Sequence, residues 1–285
     1  MSNCIIGFKN RIDESSIDDF YGNWNSSYPI ANVKNGIISI EARSVDTDST
    51  NTRFRFATAQ TRLIGAIAIV NHNLTATATW RYRVYSDAAY STLVYDSGTI
   101  NVWPDMPYGY YEWEDDDFWD LTMSPDQITA DRHTLIHAQT DLTNAQYYQI
   151  EFFDADNPAG YVSLGRVFLG QTYQPENNMS LGAAISIESD TTVDKSIGGV
   201  EFFQNKLKYR VVRMNLAYLD EATAILNQDI MQQSDISAEV LFIWNPASSI
   251  LNNKNSFMGR LRSLNAVENP YNTIYQTSYE IKELL

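Results

Sequence analysis

The sequence predicts a mainly β protein, in which a β-sandwich is followed by a smaller antiparallel sheet or barrel carrying one α-helix. Three observations predict it. Aromatic residues make up 13% of the 285 residues and charged residues only 19%, a profile rich in Tyr, Trp, Thr and Asn that suits pleated surfaces. Apolar and polar positions alternate in short runs, as where Trp80, Tyr82 and Val84 interleave with Arg81, Arg83 and Tyr85. Residues 63–70, LIGAIAIV, are continuously apolar, too short for a good helix and suited to a strand buried on both faces.

Each element follows from the local pattern. Residues 4–8 read as a short apolar strand at an edge or in an arm, and the acidic, serine-rich residues 13–19 read as loop. Tyr28-Pro29 forces extended backbone, and a strand is expected over residues 37–41. Phe54 and Phe56 share one face of the next strand, with Arg53 and Arg55 on the other. Asp96-Ser97-Gly98 reads as a hairpin turn between residues 93–95 and 99–102.

Residues 147–170 read as two strands joined by the turn Asp154-Ala155-Asp156-Asn157-Pro158-Ala159-Gly160, a joint between two modules. Residues 171–178 are the linker candidate. Strands are expected at 180–188, 200–203 and 207–214, with 194–199 as a turn. A helix over 220–233 starts at Asp220 as N-cap, with Ala222, Ile225, Leu226 and Ile230 in partial 3.6-residue register. Residues 239–244, 257–264 and 273–282 complete an antiparallel set. The expected organisation is an arm at 1–19, a sandwich at 20–170 and a β-rich assembly module at 175–285.

Composition excludes several function classes. The net charge of −15 repels phosphate backbones and anionic lipid, so neither nucleic acid nor membrane is an expected partner. No run approaches the roughly 20 apolar residues of a membrane helix. The single cysteine, Cys4, permits no intrachain disulfide and no thiolate zinc site, which fits synthesis in a reducing cytoplasm. Histidines occur only at 72, 133 and 137, and no H-E-x-x-H or G-x-S-x-G pattern is present. Pairs of carboxylates that would serve a glycosidase arise by chance among 35 acidic residues. The expectation is a protein that is not an enzyme and holds no cofactor or metal.

Residues 103–131 interrupt the strand pattern with three Trp, three Tyr and six carboxylates between Glu112 and Asp120. Excursions of this length inside a compact domain are commonly functional. Trp103, Tyr110, Tyr111, Trp113, Phe118 and Trp119 are the candidate contact residues. They read as a protein interface or as a lid packed on the sandwich, with stacking on a sugar ring as the third reading. Asp115, Asp116 and Asp117 offer oxygen ligands for calcium but lack an EF-hand frame. Arg81, Arg83, Arg210 and Arg213 sit on polar strand faces, where they would meet either acidic neighbours of another subunit or carboxylates of this chain.

Two resemblances carry further. The order of Trp24, Tyr28-Pro29-Ile30-Ala31-Asn32, Arg53-Phe54-Arg55-Phe56, residues 64–74 and Trp80-Arg81-Tyr82-Arg83-Val84-Tyr85 resembles a discoidin or galactose-binding-like jelly roll. The chain as a whole resembles tailed-bacteriophage virion proteins of the tail tip or baseplate. That likeness rests on Glu112-Trp113-Glu114, Phe118-Trp119-Asp120, Asp156-Asn157-Pro158-Ala159-Gly160-Tyr161 and residues 164–170, then on residues 208–213 and Leu219-Asp220-Glu221-Ala222. Phage distal-tail proteins also pair a ring-forming module with a peripheral sandwich. The resemblance implies a structural tail component, located in the virion tail and assembled in the host cytoplasm. Its partners would be copies of itself and other tail proteins, with a host surface glycan as the alternative ligand.

Overall fold

The computed structural model describes residues 3–285 except 19, 108, 115–117, 120, 125–126, 129–131 and 248–249; the side chains of 140, 141, 251 and 252 are also outside the description. The strands of the first half are β1 (Ile5–Phe8), β2 (Ser15–Asp18), β3 (Ala42–Arg43), β4 (Arg53–Val70), β5 (Thr79–Tyr85), β6 (Leu93–Asn101), β7 (Thr134–Phe153), β8 (Ser163–Leu164) and β9 (Val167–Tyr173). Those of the second are β10 (Ala184–Ser189), β11 (Thr192–Lys195), β12 (Glu201–Gln204), β13 (Lys208–Leu219), β14 (Glu239–Ile243), β15 (Phe257–Leu261), β16 (Glu268–Tyr271) and β17 (Ile274–Glu283). Two helices, α1 (Glu221–Gln233) and α2 (Ile250–Asn255), lie in the second half. The fold is mainly β, as the sequence predicts, and α1 begins at Asp220, whose side chain accepts from the Thr223 amide.

One antiparallel sheet runs through most of the strands, in the order β10-β13-β17-β15-β14-β1-β9-β4-β7-β5-β6. Its spine is the long pair β4 and β7. Their register slips near Ala57–Arg62 and again near Ile64–Ala66. Irregularities of this kind bend a ladder and redirect its side chains. Below the slip β4 pairs with β2 as well as β7, and above it with β9. Aromatic rings cross the lower strands: Phe56 stacks on its partner Tyr148 at 5.1 Å, and Tyr148 lies parallel to Tyr82 at 6.3 Å. The upper half of β4 is buried on both faces, as predicted. Ile67 and Ile69 face the core with Phe54 and Trp80, whereas Ala66 and Ala68 face a second cluster with Phe168, Leu241 and Met258.

Residues 5–8 are not at an edge. β1 pairs with β14 on one side and β9 on the other, joining the two halves of the sheet. All four residues are buried, with Ile6 and Phe8 in one core cluster and Ile5 in another. Gly7 fits because a Cβ there would stand 3.0 Å from both Leu241 Cβ and the Phe168 ring. A four-residue run carries no local mark of these partners, which lie more than 150 residues away along the chain.

Four further expectations change. Ser15–Asp18 is strand β2 on β4, where loop was expected, because Ile12 and Ser15 are drawn into the fold. Residues 37–41 form a turn: Ile38 is buried while Ile37 and Ile40 are exposed, and the Ile40 amide donates to Ile37 O. Asp96-Ser97-Gly98 is no hairpin turn but an irregularity inside continuous β6, with Gly98 at φ +66° and Ser97 Oγ accepting from the Tyr82 amide. Residues 147–170 do not pair with themselves. Both edges of β7 are taken by β4 and β5, so β9 crosses to the far side of β4.

A buried ionic group locks β1 and its flanks. The Arg166 side chain, 3% exposed, bonds Glu239 of β14 at 2.8 Å, Asp13 at 2.7 Å and the Lys34 carbonyl. Asn10 donates to Glu239 Oε2 and to Val167 O, and its Oδ1 accepts from the Leu169 amide. Removing Glu239 leaves a buried guanidinium with Asp13 as its only carboxylate. Glu239→Ala is therefore expected to cost about 2–4 kcal/mol of unfolding free energy in urea, and Arg166→Met with Glu239→Leu markedly less. Equal losses in the two variants would contradict this reading.

Candidate functional site

Among its described residues, the aromatic excursion is anchored at its base and exposes Tyr110, Trp113 and Trp119. Trp103 is buried, its Nε1 donating to Leu74 O at 3.1 Å and its ring stacking on His133 at 4.4 Å. It is a packing residue, which removes it from the contact set expected from the sequence: the strand end at Val102 turns its ring under the loop. Met106 and Met123 are buried beside it, and the Met106 amide donates to Leu121 O. The half-buried Tyr111 donates to Thr122 O at 2.8 Å.

Three of the other aromatic candidates are exposed. Tyr110 is 56% exposed, Trp113 73% and Trp119 82%. The half-buried Phe118 meets Trp119 edge to face at 5.1 Å. Large aromatic rings this exposed supply contact area at low entropic cost. Asp115, Asp116 and Asp117, on which the calcium reading rests, lie outside the described residues. Among the described residues no cluster of three or more His, Cys, Asp or Glu side chains is placed to hold a metal ion.

The four arginines are engaged within the chain. Arg81 bonds Asp96, and Arg83 bonds Glu151. Arg210 bonds Glu283 at 2.5 Å and donates to Lys254 O. Arg213 joins Glu188 and Glu280, which also take Arg262. These carboxylates stand on neighbouring strands, most of them diagonal to their arginine, so the arginine stripes close on the sheet that carries them. Arg53 and Arg55 instead lie over the Tyr21 ring, at 4.4 and 3.7 Å.

A second surface is one that sequence reasoning missed. After β10 the chain leaves the sheet as the two-stranded ribbon β11–β12 and returns as β13, the pairing partner of β10. Its tip closes with Ser196 and Val200 hydrogen-bonded and Gly199 at φ +81°, a conformation suited to glycine. Every residue of β11 and β12 is exposed. Val193 stands opposite Phe203 and Asp194 opposite Phe202, so each face of the ribbon carries a bare phenylalanine. Ile197 and Val200 add to the tip. The available signal was the adjacent pair Phe202-Phe203: successive strand residues point to opposite faces, and one core cannot take both.

The three histidines are structural. His72 Nδ1 accepts from the Leu74 amide, and its ring meets His133 edge to face at 5.3 Å. His133 Nε2 bonds Val102 O, and His137 Nε2 bonds the Tyr95 hydroxyl at 2.8 Å. Burial pulls the imidazoles of His72 and His137 down to about 4 and holds His133 well below its usual value. All three stay neutral in the fold, whereas the unfolded chain protonates them below about 6.5. The unfolded state then binds more protons, so stability falls as pH drops from about 6.5 towards 4. Urea midpoints across that range should show the fall, and His137→Gln should make it shallower. A midpoint that is flat or rises on acidification would contradict the assignment.

No family model matches the sequence, and no curated protein matches it. Solved structures that resemble the chain include a CBM32 domain from a family 31 glycoside hydrolase of Clostridium perfringens, at 10% identity and a TM-score of 0.37, over 57% of this chain and 99% of that one. The family 32 CBM of NanJ from C. perfringens, in complex with galactose, resembles it at 10% identity and a TM-score of 0.37, over 58% of this chain and 99% of that one. A truncated AlyQ with CBM32 and alginate lyase domains resembles it at 13% identity and a TM-score of 0.37, over 87% of this chain and 56% of that one. Likenesses at this level carry no inference about what this chain does.

Proposed function

We propose that the chain is a non-enzymatic structural component of a bacteriophage tail tip or baseplate, present in repeated copies in a symmetric ring and joining neighbouring tail proteins. The observation that carries the reading is the bare apolar ribbon with Val193, Ile197, Val200, Phe202 and Phe203 at its surface. An isolated two-stranded ribbon is marginal in water, and contiguous exposed apolar surface marks an interaction site. The ordered resemblance to phage virion proteins over most of the chain supplies the particle. In this reading residues 20–170 are a galactose-binding-like sandwich and residues 175–285 the assembly module. The protein resides in the virion tail and is assembled in the host cytoplasm. Mass spectrometry of purified virions is expected to find the chain at many copies per particle. Its absence from virions that carry their other tail proteins would overturn the reading.

A second reading, recognition of a host surface glycan, is favoured by one observation: Trp113 and Trp119 present their rings to water on an anchored loop. Aromatic faces of this kind stack on sugar rings. A glycan array probed with the native chain and with Trp113→Ala and Trp119→Ala separates the two. Signal lost in either variant supports glycan recognition by the loop; no signal above background removes it.

A further inference from the structure

We propose that His72, Leu74, Trp103 and His133 form an acid-sensitive latch at the foot of the aromatic excursion, in which a proton on His72 releases the Trp103 anchor while the sheet stays folded. The latch belongs to the fold itself and does not depend on which partner the exposed rings meet.

Leu74 joins the two sides of the latch. Its amide donates to His72 Nδ1 at 3.3 Å, and its carbonyl accepts from Trp103 Nε1 at 3.1 Å. The Trp103 ring stacks on His133 at 4.4 Å. His72 meets both rings edge to face, His133 at 5.3 Å and Trp103 at 6.1 Å. Three rings, from just beyond β4, just beyond β6 and just before β7, thus close on one another.

The two histidines respond differently to a proton. A neutral imidazole that accepts through Nδ1 carries its hydrogen on Nε2. His72 therefore accepts from Leu74 only while neutral. A further proton enters at Nδ1, where it sets two donors against each other across 3.3 Å. His72 Nε2 is buried with no hydrogen-bond partner among the described residues, so no second bond holds the charged ring in place. His133 donates to Val102 O through Nε2, which bears hydrogen in both forms, so that bond survives protonation. The charged His72 ring also has room to leave. It stands on the wall of a cavity of about 400 Å³ that Trp103 and His133 share. Rotation into that space uncovers the edges of the Trp103 and His133 rings.

The charges around the ring come from several elements. Arg132, next to His133, and Glu283 of β17 line the same cavity, and Arg210 already bonds Glu283. Glu41 accepts from Asn71, and Asp154 from the Thr75 amide. Burial holds His72 neutral, at about 4, and His72 and Arg210 both oppose a proton on His133. Once released, His72 returns to about 6.5, so the open form binds more protons than the closed one. Opening therefore grows as pH falls from about 6.5 towards 4. Between pH 7.5 and pH 5 this one group raises the opening constant about 25-fold.

Hydrogen–deuterium exchange at pH 7.5 and pH 5, corrected for the intrinsic pH dependence of exchange, tests the latch. At pH 5 the Leu74 and Met106 amides are expected to exchange through a local opening that is insensitive to low urea, its constant at least about 25-fold larger than at pH 7.5. Ile67 and Ile69 of β4 should exchange more slowly and respond steeply to urea, as amides released only by global unfolding do. His72→Asn supplies an acceptor for the amide two residues on and does not titrate. It should leave the opening constant at pH 7.5 within a few fold of native and remove about that 25-fold factor at pH 5. If circular dichroism shows this variant misfolded, His72→Ser, whose hydroxyl makes the same bond, decides the point. Three outcomes would each overturn the proposal: no growth in opening at pH 5, exchange of Leu74 and Met106 only with Ile67 and Ile69, or the same growth in the non-titrating variant.

Discussion

Strand β1 is the constraint on which the rest of the structure depends. Four residues, Ile5–Phe8, fill the gap between β9 and β14 and convert two groups of strands into one continuous sheet. Their main-chain groups pair on both sides, and their side chains feed clusters on both faces. Space is tight enough to require glycine at position 7 and again at 170, where a Cβ would stand 2.8 Å from Phe8 O. Arg166, Glu239, Asp13 and Asn10 then surround the seam with charge-assisted bonds that no single element makes alone. A buried charge held from three parts of the chain ties them together, because losing a partner leaves it under-compensated.

With the sheet continuous, its rigid parts hold its exposed parts. The aromatic excursion rises from Val102 and returns at β7, one of the two spine strands, with Trp103, Met106 and Met123 buried at its foot. The ribbon extends the β10–β13 pair beyond the sheet, and β13 is tied to β17 along most of its length. Arg210 links the base of β13 to Glu283 of β17 and to the carbonyls of Lys254 and Arg132. Exposed apolar groups on elements anchored in this way lose little further freedom on binding, which lowers the entropic cost of association.

Much of this was legible in the sequence, and the largest failures come from distant pairing. The strand buried on both faces, the aromatic alternation of β5 and the capped helix α1 are local patterns, and each was read where it stands. β1 and the crossing of β9 over β4 depend on partners distant in the chain, which periodicity does not encode, and the irregularity of β6 lies in its pairing with the preceding strand. Asn227 illustrates the limit inside α1. It is fully buried, its Oδ1 accepts from the Tyr279 hydroxyl and its Nδ2 donates to the Tyr173 oxygen. Nothing in the helical pattern marks a polar residue as core. For the surfaces, the aromatic loop announced itself by composition, yet buried Trp103 and exposed Trp113 look alike in sequence. The ribbon was hidden because exposed and buried strands use the same β-branched and aromatic residues.

Hydrogen–deuterium exchange on the intact chain tests the central role of β1 most directly. If the strand is the seam of one cooperative sheet, the amides of Ile6 and Phe8 exchange only with global unfolding, at the same free energy as those of β4 and β14. Rapid local exchange of residues 5–8, with β9 and β14 still protected, would show that the halves hold without it and would contradict the account.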